Sequence, residues 1–121
     1  MPSELLFASF ATSNLEPKNS FGAKWQRLLE CLDLKALAAD KRIAVKMHLG
    51  GGVGFSTIHP YLVRQLVAAL QRAGAKEVFV CDGPNAVRKA AERGYTAETI
   101  GCQLVPVAGT ADKYFYTKAI E

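Results

Sequence analysis

The stretch RIAVKMHLGGGVGFSTIHPYLVRQLVAALQRAGAKEVFVCDG, Arg42 to Gly83, decides the fold. Arg42 to His48 is rich in β-branched and long apolar residues and reads as a strand. Glycines crowd Leu49 to Ile58, which reads as a loop. From Pro60 to Ala73 a broad apolar stripe of Leu62, Val63, Leu66, Val67 and Leu70 faces away from Arg64, Gln65, Gln71 and Arg72. That spacing predicts a helix, with Thr57 as its cap, Pro60 in its first turn and Gly74 as its stop. Glu77 to Cys81 reads as the next strand, and Asp82-Gly83-Pro84-Asn85 as the turn that closes it.

Working outward, Leu5 to Phe10 is a short apolar run that reads as a first strand. A polar stretch with Pro17 follows. Trp25, Leu28, Leu29 and Leu32 then fall on one helical face, predicting a helix from Phe21 to Leu32 capped by Asn19 or Ser20. Leu34 to Ala39 reads as another helical turn. Downstream, Ala86 to Arg93 reads as a short helix closed by Gly94, and Thr96 to Ile100 as one turn stopped by Gly101. Cys102 to Val107 reads as a fourth strand, with Pro106 near an edge or an end, and Tyr114 to Thr117 as a fifth. Strands alternating with helices predict one α/β domain over residues 1–121. The expected architecture is three-layered, with a mostly parallel sheet of four to five strands and helices on both faces.

The 121 residues suit one core, and 50% apolar with 21% charged excludes intrinsic disorder. The net charge of +4 is scattered from Lys18 to Lys118 with no basic run longer than a pair. Such scatter argues against a nucleic-acid partner. No apolar run is long enough to span a membrane, and Met1-Pro2-Ser3-Glu4 has no signal-peptide pattern, so a cytoplasmic protein is expected.

In sheets of this kind, ligands bind beyond the carboxyl ends of the strands. The glycine loop stands at such an end. Gly50, Gly51, Gly52 and Gly54, with the hydroxyls of Ser56 and Thr57, are candidate anion-binding groups between a strand and a helix N-terminus. The loop is not a Walker A motif, because no Lys precedes Ser56. Nor is it a full dinucleotide fingerprint, because Thr57 stands where the third Gly belongs. Lys46 is the candidate charge partner of the anion. Lys46 and His48 share one side of their strand, so His48 is a candidate acid–base group, with Asp82 at the end of the next strand as its orienter. His59 and Asn85 are further residues able to reach the same cleft. The bland alternatives are a loop whose glycines only permit positive φ, an edge-strand lysine and an Asx turn at Asp82. No spacing of His and Asp supports a metal site.

Cys31, Cys81 and Cys102 are far apart, with no C-x-x-C pair. Cys81 ends one strand and Cys102 begins the next, which separates them by roughly 16 Å along a parallel sheet. They are too distant to share an iron–sulfur cluster, and no cofactor is expected in this chain.

Ile43-Ala-Val-Lys-Met-His-Leu-Gly50, Ile58-His-Pro-Tyr-Leu-Val63, Ala73-Gly-Ala-Lys76, Asp82, Asn85-Ala-Val87, Gly94-Tyr-Thr96 and Thr99-Ile-Gly101 together resemble the domain of unknown function 362 family. The resemblance is to its iron–sulfur centre protein members in particular, and it runs from about Arg42 to Gly109. It implies the α/β fold and the motif positions Lys46, His48, Gly50, Asp82 and Asn85. Cluster-bearing members carry a C-terminal run of ferredoxin-type cysteines that nothing here matches. The acidic residue common after the position of Gly50 is replaced by Gly51. Because such members are longer, the chain reads as the N-terminal part of a larger domain.

Two functions follow as expectations. One is a domain that binds a small molecule or phosphate-type anion, as part of a redox or ligand-handling protein. The other is a non-catalytic module that assembles through an exposed sheet edge, as a homodimer or with the remainder of a larger domain. Tyr114, Phe115 and Tyr116 are the candidate interface anchors for the second.

Overall fold

The computed structural model describes residues 3–52 and 54–107. Three strands, β1 (Arg42–Lys46), β2 (Glu77–Asp82) and β3 (Gln103–Pro106), form a parallel sheet in the order β1-β2-β3. Helices α1 (Phe21–Glu30) and α2 (Leu34–Ala38) precede it, and α3 (Pro60–Arg72) links β1 to β2. The short helices α4 (Pro84–Arg88) and α5 (Ala97–Ile100) link β2 to β3, with a 3-10 turn, Ala90–Arg93, between them. None of the helices among the described residues is long and apolar enough to cross a membrane.

The helix over Pro60–Arg72 forms as its periodicity predicts, but its start is different. His59, not Thr57, is the N-cap, and its Nδ1 accepts the Tyr61 N–H at 3.1 Å. A ring nitrogen serves here as a hydroxyl oxygen would, directly before the proline that opens the helix. The most buried positions of α3 are Val63, Val67, Ala69 and Leu70, whereas Leu66 is half-buried against the core and Leu62 half-exposed.

The core lies on the sheet face formed by Ile43, Val45, Val78, Val80 and Leu104, where α3 packs with Tyr95 and Ile100. The alternating face is less covered: Ala44 and Lys46 are exposed and Phe79 is half-buried. Period-two alternation produces this division, so β1 reads as a half-exposed strand rather than one covered on both sides.

The expected first strand is not part of the sheet. Leu5 to Phe10 runs along α1 instead, with Leu5 88% and Phe7 82% exposed. Lys24 fastens it by donating to the carbonyls of Ser9 and Ala11, and the Phe10 ring stacks on Phe21 at 4.2 Å between centroids. The expected fourth strand is therefore β3, third in the sheet, and Pro106 is its last residue. The candidate fifth strand, Tyr114 to Thr117, with its interface aromatics, lies outside the described residues.

Candidate functional site

Parallel pairing brings the carboxyl ends of β1 and β2 together, with Lys46 opposite Cys81 and Asp82 one residue further on. Asp82 is buried, at 8% exposure, and both carboxylate oxygens are engaged. Oδ2 accepts the Leu49 N–H at 2.8 Å. Oδ1 accepts the Gly83 N–H at 2.8 Å and the Lys46 ammonium at 2.9 Å. Burial alone would raise the Asp82 pKa. The bonds from Leu49, Lys46 and Gly83 and the Lys46 charge outweigh it, so the carboxyl sits below the ordinary carboxylate value. Lys46 also donates to the Met47 carbonyl at 2.7 Å. Beside this pair, burial pushes the Cys81 thiol up.

Asp82 thereby fixes where the glycine loop begins. Gly50 and Gly51 follow with φ of 88° and 54°, and the Gly54 N–H closes the turn on the Gly50 carbonyl at 2.8 Å. Two successive left-handed residues strongly favour glycine. Position 54 excludes a side chain for a different reason, since a Cβ there would lie 2.4 Å from the Gly50 Cα.

Two residues that sequence reasoning passed over complete the arrangement. The Arg93 side chain, 14% exposed, donates from Nε to the Leu49 carbonyl at 2.7 Å and from a terminal nitrogen to the Lys89 carbonyl at 2.9 Å. It clamps the turn to the segment after α4. Lys89 extends its ammonium over the turn, where a methyl group on Gly52 would meet it at 3.4 Å, and the Asn85 amide approaches Gly51. Asn85, Lys89 and Arg93 recur every four residues, a spacing that places them on one helical face. That was the signal available in the sequence.

The site residues expected from the sequence divide accordingly. Lys46, Gly50, Gly51, Gly52, Gly54, Asp82 and Asn85 gather at the carboxyl edge of the sheet. His48 is exposed and makes no hydrogen bond to a described residue, and the partner of Asp82 is Lys46 rather than His48. His59 is occupied as the α3 cap. Ser56 is exposed and Thr57 half-buried, and neither hydroxyl is bonded to a described residue. Cys31 is exposed, Cys81 buried and Cys102 half-buried, all as free thiols.

The arrangement is an inward-pinned carboxylate beneath a glycine turn whose outer side meets an ammonium. The Gly51 and Gly52 N–H groups donate to no described backbone carbonyl. Such a turn suits a small anion. A family model described as domain of unknown function (DUF362) matches residues 43–120. No curated protein and no solved structure matches the chain.

Proposed function

The chain belongs to the DUF362 family, and for this member we propose that the glycine turn at the carboxyl edge of the sheet binds a small phosphate-type anion. The single observation that carries the reading is Lys89, whose ammonium reaches over Gly52 while no acidic side chain among the described residues pairs with it. The N–H groups of Gly51 and Gly52 supply directional donors and Lys89 supplies charge. Lys46 contributes less, because its charge is shared with Asp82. Arg93 is a positioning residue, since its guanidinium is spent on two carbonyls. His48 stands near the same strand end, exposed and without a bond to Asp82. The anion would be bound weakly, as part of a redox or ligand-handling protein.

Thermal melting tests the reading. An anion that binds only the native state raises the melting temperature. Inorganic phosphate at fixed ionic strength should therefore raise the midpoint of the native chain and leave that of Lys89→Met unmoved. An equal rise in both, or none in either, overturns it.

A second reading, assembly through the sheet, is favoured by two observations. β1 stands at one end of the strand order, and Leu5 and Phe7 are exposed apolar residues. A strand added beside β1 would extend the sheet toward the four to five strands and three layers read from the sequence. Light scattering across a dilution series tests it, a mass above 13.1 kDa being the expected result.

A further inference from the structure

We propose that the cleft between α1, the start of α2 and the outer side of α3 is a second binding site, for a small acid with an apolar body and an N–H or O–H group. It shares no residue with the glycine turn. The cleft encloses about 440 Å³, within the range of small-molecule sites. Leu29, 4% exposed, and Ala69 give it an apolar floor.

The polar group that marks it is Gln65. Its Nε2 donates to the Tyr61 hydroxyl at 3.1 Å, but its Oε1 is buried without a hydrogen-bond partner. Turning the amide over only exchanges the two ends: the hydroxyl would then donate to oxygen, and the NH2 group would be the unpaired one. Either orientation leaves a buried polar atom that a partner from outside the chain must satisfy. A hydroxyl or N–H on a ligand satisfies it.

Charge decides the rest of the ligand. Arg64 and Arg72 line the cleft from α3, are exposed, and make no ion pair or hydrogen bond to a described residue. Lys35 lines it from α2, and the two carboxylates facing these three cations, Glu30 and Asp33, each accept a hydrogen bond but keep their charge. The Glu30 carboxylate accepts from Gln26, and Asp33 caps α2 by accepting the Ala36 N–H at 3.1 Å. Three cations against two carboxylates leave the lining net positive, which favours an anionic head, while the floor meets the apolar body.

The test uses 8-anilinonaphthalene-1-sulfonate as the probe, which has an apolar ring system, an N–H and a sulfonate. Trp25, the one tryptophan in the sequence, precedes Gln26 of the cleft on α1 and serves as the energy-transfer donor. Saturable binding of one probe per chain, with transfer from Trp25, is the expected result. Ala68→Phe should abolish it by filling the cleft. Gln65→Leu, which removes the unpaired amide, should weaken it about tenfold, the equivalent of one good hydrogen bond. Phe7→Ser, at the exposed apolar segment, should leave it unchanged. Binding that does not saturate, or that survives both cleft substitutions in chains folded by circular dichroism, or that is lost in Phe7→Ser, overturns the proposal.

Discussion

The Leu49 backbone N–H donates to Asp82 Oδ2 at 2.8 Å, joining the first residues of the glycine loop to the end of the neighbouring strand. Leu49 itself is fully buried, so this bond sits at the junction of the core and the carboxyl edge. The position of the turn is set by a carboxylate that the sequence suggested as an orienter of His48 or as an Asx turn.

Replacing Asp82 with Ala should cost about 2–3 kcal/mol, because the Leu49 and Gly83 N–H groups lose a charged acceptor. The pH dependence has a definite sign. The folded-state pKa lies below the unfolded value, so the stabilisation is complete above the ordinary carboxylate pKa of ~4 and is lost as pH falls through the folded value. Urea melts between roughly pH 2 and 6, across that titration, should show a steeper acid loss in the native chain than in Asp82→Asn. Parallel curves would remove Asp82 from this role.

Glycine substitutions should separate geometry from charge. Gly54→Ala places a Cβ 2.4 Å from the Gly50 Cα and should cost about 1–3 kcal/mol or prevent the turn from closing. Gly52 has no positive φ and meets only the flexible end of Lys89, so Gly52→Ala should be neutral or stabilise by up to about 1 kcal/mol. Denaturant midpoints of the two variants check this order.

Within α3, Leu70→Ala should cost about 2–5 kcal/mol, and Leu66→Ala should cost less. Leu70 is 7% exposed, whereas Leu66 is only half-buried. Equal losses would mean that Leu66 is a core residue in solution.

Thiol labelling should follow burial. Cys31 is exposed and should react with iodoacetamide first. Burial pushes up the thiols of both Cys81 and Cys102, so both should lag, with the more buried Cys81 last unless the chain is unfolded. Mass spectrometry of a time course reads the order directly.

The parallel β1-α3-β2 unit was legible because periodicity, proline and glycine all agreed over Arg42 to Asp82. Leu5 to Phe10 was misread because an apolar run declares a preference for burial without naming its partner. Its partner turned out to be α1, through Lys24 and the Phe10–Phe21 stack, contacts that no local pattern encodes. The same limit applied at the site. The glycine loop was visible by composition, but the pairing of Asp82 with Lys46 depended on strand register and the bend at the strand end. Lys89 and Arg93 lay on a segment, Ala86 to Arg93, that reads from the sequence only as a short helix closed by Gly94.

Anion binding by the glycine turn and Lys89 together is the function proposed for this chain. It is tested most directly by titrating inorganic phosphate at constant ionic strength against 15N-labelled protein. The expected result is saturable shifts of the Gly51 and Gly52 amides in the native chain, lost in Lys89→Met. Unmoved Gly51 and Gly52 amides, or identical shifts in the two proteins, would contradict it.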